Sequence, residues 1–216
     1  MKAIIFDMDG VLVDSEIYHF QAEKLILEKI GISIVEEEIH SFVGLAMDKM
    51  WERIKNKYQL EKPVSTLVQE DTIFRVNYFK SVGKIPPIEG VEELIKAIKK
   101  QGLKTAVASS SHPDLIKTVL EASNLLQYFP VCLSGFNVKQ GKPEPDIFLE
   151  TAAKLNVKPE NCVVIEDSYN GITAAKKAGM KCIGYQNPSS GNQDLSAADL
   201  IIKSFKQISI DVIKKL

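Results

Sequence analysis

Two aspartates one residue apart, followed by a glycine, stand directly behind an apolar run: Ala3-Ile4-Ile5-Phe6 leads into Asp7-Met8-Asp9-Gly10. Such a run reads as a fully buried strand. Burying one carboxylate is costly unless it is compensated, and a second one nearby adds repulsion. A strand that ends in both therefore calls for a cation at its exposed end. Turn residues alone are a second reading of these positions, since Asp and Gly are common there.

The residues behind the other apolar runs test these readings. Six runs read as strands: Lys2 to Phe6, Lys104 to Ala108, Val131 to Leu133, Cys162 to Ile165, Lys181 to Gly184 and Leu200 to Ile202. The second ends in Ser109-Ser110-Ser111 and the fourth in Glu166-Asp167-Ser168, while Gly141-Lys142-Pro143-Glu144-Pro145-Asp146 lies ahead of the fourth. In an open parallel sheet, ligands bind beyond the carboxyl ends of the strands. Carboxylates, hydroxyls and a lysine would then converge on one sheet edge. That set suits phosphoryl transfer, where the protein positions groups and neutralises spreading charge. Oxygen donors favour Mg2+. Asp7 could serve as nucleophile and Asp9 as general acid and base.

Each residue also has a structural reading. Ser109 suits a helix N-cap ahead of Ser111-His112-Pro113-Asp114, Lys142 a surface lysine, and Glu166-Asp167-Ser168 a cap for a helix over Gly171 to Ala178. An Asp-x-Asp behind a hydrophobic strand also occurs in sugar-nucleotide transferases. The joint pattern favours the phosphoryl-transfer site.

The elements that must position this site alternate. Helical spacing joins Glu92, Leu94, Ile95 and Ile98, then Leu115, Ile116, Val119 and Leu120, then Ile147, Phe148, Ala152 and Leu155. Strands alternating with helices predict an α/β fold, a doubly wound parallel sheet with a Rossmann-like core. Between Ser15 and about Pro86 the strand rhythm stops. Tyr18, Ala22, Leu25, Ile26 and Ile30 follow helical spacing up to Gly31, and helical patterns continue over Asp48 to Tyr58 and Val64 to Phe79. This predicts an inserted helical cap domain over residues 15–86, and a core domain over residues 1–14 and 87–216. Asp14-Ser15-Glu16 and Lys84 to Gly90 would be the linkers.

With 216 residues, the chain suits one large domain or a core with a smaller insert. A formal net charge of -1 gives no general attraction to nucleic acid or to an anionic membrane. No apolar stretch reaches the ~20 residues of a membrane span, and a strand starting at Lys2 leaves no room for a signal peptide. Cys132, Cys162 and Cys182 fit no zinc spacing and read as buried free thiols. The expected location is the cytoplasm, and the expected state a monomer.

The chain resembles the haloacid dehalogenase-like superfamily, in its phosphatase and β-phosphoglucomutase branch with a helical cap. Asp7-Met8-Asp9-Gly10-Val11-Leu12-Val13-Asp14-Ser15 looks like the first motif, Ser109 the second, Lys142 in Gly-Lys-Pro-Glu-Pro-Asp the third, and Glu166-Asp167-Ser168-Tyr169-Asn170-Gly171 the fourth. The resemblance implies that Asp7 is the nucleophile and Asp9 the general acid and base. Ser109, Ser110 and Lys142 are phosphate-binding candidates. Mg2+ would be held by the Asp7 side chain, the Asp9 backbone carbonyl, Asp167 and Glu166. Dehalogenases of the superfamily lack the second Asp of the first motif, so halide chemistry is disfavoured.

In similar enzymes the cap closes over the site and excludes water. The loop Val43-Gly44-Leu45-Ala46-Met47 would face the substrate, with His19, Gly44, Met47 and Arg75 as candidate contacts. β-Phosphoglucomutases carry an arginine where Met47 stands and a lysine where Val43 stands, cations that hold a second phosphate. Their absence favours a Mg2+-dependent phosphohydrolase of small phosphorylated metabolites, sugar phosphates among them. The alternatives are a β-phosphoglucomutase and a non-catalytic binding protein on the same fold.

Overall fold

A computed structural model describes residues 1–35, 38–39, 41–42 and 47–216. In chain order its elements are β1 (Ala3–Phe6), α1 (Glu16–Lys29), α2 (Met47–Tyr58), α3 (Val64–Val82), α4 (Val91–Lys100), β2 (Lys104–Ser109), α5 (Pro113–Ala122), β3 (Val131–Ser134), α6 (Asp146–Lys154), β4 (Cys162–Glu166), α7 (Tyr169–Lys177), β5 (Lys181–Tyr185), β6 (Leu200–Ile202) and α8 (Ile210–Ile213). The chain divides into two compact units, Met1–Ser15 with Lys84–Leu216, and Glu16–Gly83.

In the first unit the six strands form one parallel sheet in the order β3-β2-β1-β4-β5-β6. β1 is central and wholly buried, which explains why its sequence is continuously apolar rather than alternating. Ala3 and Ile5 share a core with Ala106 and Ala108 of β2, Ile147 and Phe148 of α6, and Ile172 and Ala175 of α7. Strand alternation turns Ile4, Phe6 and Val107 to the opposite face, where α4 and α5 bury Val91, Ile95, Ile98 and Val119. The architecture is the doubly wound α/β sheet expected from the sequence. The strand order reverses direction between β1 and β4, and such a switch point is where this topology opens a crevice for ligands.

The second unit is helical. α1, α2 and α3 pack around Ile26, Leu27, Met50, Trp51, Ile54 and Leu67, joined by Ile32 and Phe42. Pro63 precedes α3, and Gly31, with φ +81, follows α1, as their types dictate.

The division at Gly83 and Lys84 falls three residues ahead of the expected one. The Ile85 N–H donates to Ala122 O, and the Ile88 N–H to Leu12 O, which ties this segment to the α/β unit. Three further expectations need correction. Leu25 is 40% exposed; the buried stripe of α1 runs through Ala22, Ile26 and Leu27. Cys132 is exposed, because β3 is an edge strand. Ser109 is not a helix cap: His112 takes the N-cap of α5, its side chain accepting from the Asp114 N–H. No described helix is long and apolar enough to cross a membrane.

Candidate active site

Parallel pairing sets where the chemistry sits. Phe6 pairs with Val107 on one side and Ile165 on the other, so the next residues of all three strands emerge at the same edge. Asp7 follows Phe6 there, its N–H donating to Ile165 O at 3.0 Å. Glu166 closes β4 and Asp167 follows it, across the switch point from Asp7. Ser109 closes β2 and is fully buried.

Lys142 links these ends. Its Nζ donates to Asp7 Oδ1 at 2.7 Å, to Glu166 Oε1 at 2.7 Å and to Ala108 O at 3.0 Å. Those three acceptors use all three donors of an ammonium. Its side chain is 5% exposed, and the ammonium lies 5.2 Å from the centroid of the Phe148 ring. Lys142 is therefore no surface lysine.

Glu166 Oε2 accepts from the N–H groups of Asp167 and Ser168, at 2.9 and 2.8 Å, and from Ser168 Oγ at 2.9 Å. Ser168 also caps α7, its Oγ accepting from the Gly171 N–H. A Cβ at position 171 would collide with the Glu166 carboxylate, so only glycine lets α7 begin this close to it. Both Glu166 oxygens have protein donors, and Glu166 orients Lys142 as much as it offers itself to an ion.

Asp9 is held differently. Ser15 Oγ donates to its Oδ1 at 2.6 Å, Ser111 Oγ to its Oδ2 at 2.8 Å, and Ser109 Oγ lies 3.4 Å from Oδ2. Ser109 Oγ also accepts from the Ser111 N–H at 3.0 Å. Ser110 is exposed; Ser111 is the neighbour whose hydroxyl reaches Asp9. Asp167 receives Ser190 Oγ on its Oδ2. Asn187 Nδ2 donates to Gly10 O at 2.9 Å, so the turn after β5 grips the loop after β1.

The charges do not balance. The Lys142 ammonium pairs with Asp7 and Glu166, while Asp9 and Asp167 add two further carboxylates near Asp7. Burial, with the charges of Glu166 and Asp9, pushes the Asp7 carboxyl up to about 7 against the pull of Lys142. Burial, then Glu166 and Asp7, holds the Asp167 carboxyl well above its usual range. Lys142 is raised above the ordinary lysine value: burial opposes its charge, but Asp7 and Glu166 outweigh it.

Among the described residues, Asp7, Glu166 and Asp167 form the cluster that could hold a metal, with candidate oxygens all within 4.8 Å of one another. The fit to Mg2+ is chemical: every donor is a hard oxygen, and the excess negative charge is what a divalent cation would relieve. The Asp9 carboxylate is not one of the three.

The cap candidates fall in the helical unit. Arg75, a candidate substrate contact, lies in a buried ion pair within the helical unit. Its Nε donates to Asp71 Oδ1 at 2.8 Å and its Nη2 to Glu23 Oε1 at 3.0 Å. The reason is local, since Asp71 and Arg75 lie one helical turn apart. Arg75 Nη1 lies 3.3 Å from His19 Nδ1, and the His19 ring packs 5.0 Å from that of Phe79. Met47 opens α2, half-buried against the helical core, with Thr72 Oγ1 3.8 Å from its sulfur. Gly44 lies outside the described residues.

Ser15, Ser111, Asn187 and Ser190 were not among the residues expected to serve the site. Ser190 and Asn187 had a usable signal. The strand-end rule, applied to β5 as it was to β1, β2 and β4, leads to Asn187-Pro188-Ser189-Ser190.

Comparison with known proteins agrees with this geometry. The family model described as haloacid dehalogenase-like hydrolase matches residues 4–185. The chain belongs to that family. Over 218 residues it is 31% identical to a β-phosphoglucomutase of Bacillus subtilis, covering 99% of this chain and 94% of that one. Over 187 residues it is 35% identical to a phosphorylated carbohydrates phosphatase of Thermotoga maritima, covering 85% of this chain and 84% of the other. Among solved structures, CbbY from Rhodobacter sphaeroides in complex with phosphate superposes with a TM-score of 0.87 at 27% identity, covering 99% of each chain. Within its family this hydrolase is an enzyme of the phosphatase kind.

Proposed function

We propose that this hydrolase is a Mg2+-dependent phosphatase of small phosphate monoesters, sugar phosphates among them, acting through a phosphorylated Asp7. The observation that carries the reading is Asp7 itself. It is a buried carboxylate at the switch point, with Lys142 2.7 Å from one oxygen and an acidic cluster around it. An Asp7 oxygen attacks phosphorus, a new P–O bond forms, and the bond to the ester oxygen breaks. Asp9, oriented by Ser15 and Ser111, gives its proton to the leaving alkoxide. It then takes a proton from the water that attacks the phosphoaspartate, which releases inorganic phosphate. Lys142 and Ser109 neutralise and hold the transferring oxygens. Asp7, Asp167 and Glu166, with the Asp9 carbonyl, would hold the ion, which when bound would supply positive charge to offset that of the phosphoryl oxygens.

In this reading the α/β core carries the chemistry and the helical cap selects the substrate. The enzyme acts in the cytoplasm as a monomer on small phosphorylated metabolites, with neither nucleic acid nor membrane as a partner. Phosphate release from a panel of monoesters that includes hexose phosphates, with and without Mg2+, tests it. Turnover with Mg2+ and loss on chelation is the expected result; no turnover on any monoester, or equal turnover without the ion, overturns it. The 31% identity to the Bacillus mutase along nearly the whole chain favours a second reading, a β-phosphoglucomutase. That reading requires interconversion of β-glucose 1-phosphate and glucose 6-phosphate faster than phosphate release.

A further inference from the structure

The turn after β5 does more than close the fold. Asn187 is 5% exposed and Ser190 is 7% exposed, and their side chains serve the site rather than the core. Asn187 Nδ2 donates to Gly10 O, while its Oδ1 accepts from the Ser189 N–H at 2.9 Å. Ser189 Oγ donates to Asp14 Oδ2 at 2.8 Å. Gln193 links the same turn to α7: its Nε2 donates to Ser190 O and its Oε1 accepts from the Tyr169 N–H, both at 3.1 Å. The turn is thus fastened to the β1 loop and to the start of α7, the two segments that flank Asp167.

Within this frame Ser190 Oγ donates to Asp167 Oδ2. Gly10, at φ +76, packs so closely that a Cβ there would collide with the Asp167 carboxylate and stand 2.8 Å from Ser190 Oγ. Both approaches are to Oδ2, so one oxygen of the carboxylate is engaged by the hydroxyl and lies close against the Gly10 backbone, where only a glycine fits.

We infer that Ser190 is a positioning residue that sets which divalent cation the acidic cluster accepts. By engaging one oxygen of Asp167, it limits that carboxylate to donation through the other, and so favours Mg2+ over Ca2+. The inference rests on the metal reading of the cluster given above. Its physical basis is the difference between the ions. Ca2+ takes about 6–8 oxygens and accepts carboxylates through both oxygens, whereas Mg2+ takes six at shorter range and keeps several waters. Partners behind the ligands commonly change metal affinity about 10–100-fold when removed.

The test is calorimetric titration of the substrate-free protein with Mg2+ and, separately, with Ca2+, for wild type, Ser190→Ala and Ser190→Cys. Cysteine is nearly isosteric and a weak donor, and it provides the reading if the alanine variant does not fold. The expected result is a shift of the Mg2+ to Ca2+ affinity ratio toward Ca2+ by about tenfold in either variant. An unchanged ratio in a folded variant overturns the role of Ser190 and leaves the metal site standing. Failure of the wild type to bind Mg2+ overturns the metal site, and this inference with it.

Discussion

Each unit of this protein buries a cation between two carboxylates, and the two arrangements differ in what else faces them. In the helical unit, Arg75 donates to Asp71 and Glu23, and Trp51 Nε1 donates to Asp71 Oδ2 at 2.9 Å. Burial raises the Glu23 carboxyl, against the charge and hydrogen bond of Arg75. The planar guanidinium fits these acceptors as a fork, and the network closes on itself. In the α/β unit, Lys142 likewise bridges Asp7 and Glu166, but Asp9 and Asp167 add two further carboxylates. That excess leaves Asp7 raised to about 7 by burial and its neighbours. A closed network stabilises a fold, whereas a buried surplus of one sign marks a place meant to receive something of the other.

The largest effect that could break this contrast is on rate. Asp7→Asn should reduce phosphate release by about a thousandfold or more, because the amide cannot act as the nucleophile. The melting temperature of the same variant without metal should hold or rise, since one repelling carboxylate is gone. A sharp fall in stability would mean that Asp7 is as structural as Asp71.

Arg75→Met should do the reverse. Removing the cation leaves Asp71 and Glu23 buried together, a change that costs about 3–5 kcal/mol. Denaturant unfolding would measure it, while the rate per folded molecule stays within a few-fold of wild type. A rate loss near that of Asp7→Asn, at unchanged stability, would place Arg75 in the site after all.

The smallest effect sharpens the scale. Asp199 accepts from Lys176 Nζ, Lys181 Nζ and the Cys182 N–H. Partial burial pushes its carboxyl up, but these donors prevail and hold it down to about 2. A carboxyl lowered in the fold stabilises above its unfolded value and loses that contribution as pH falls from about 4 to 2. Asp199→Asn should therefore cost about 1 kcal/mol at neutral pH and flatten the stability profile across that acid range. Thermal melts at stepped pH would show it.

Much of the α/β unit was legible because its signals are local. Four-residue apolar runs such as Ala3–Phe6 have one comfortable fate, a buried parallel strand, and the strand ends then name the site. Asp7, Asp9, Ser109, Glu166 and Asp167 were read from strand ends and Lys142 from the stretch ahead of β4, and the structure brings these side chains to one edge. The Asp71–Arg75 pair is equally local, one helical turn apart, but that spacing was not used, and Arg75 was expected at the substrate. Leu25 and Cys132 misled because apolar type does not specify which side of an element meets the core. Ser190 was legible only in part, because the strand-end rule leads to the turn after β5 but does not say which of its serines meets Asp167.

The sequence by itself determined the fold class, the strand edge that carries the chemistry and the acid-rich character of that edge. Those follow from hydrophobic periodicity and from residue types adjacent in the chain. Only the tertiary structure decided that Lys142 is buried between Asp7 and Glu166, that Ser15 and Ser111 share Asp9, and that Ser190 holds Asp167. These contacts join residues up to 135 positions apart. Their existence depends on the sheet order that brings β1, β2, β4 and β5 to one edge, and sheet order is a property of packing rather than of neighbouring residues.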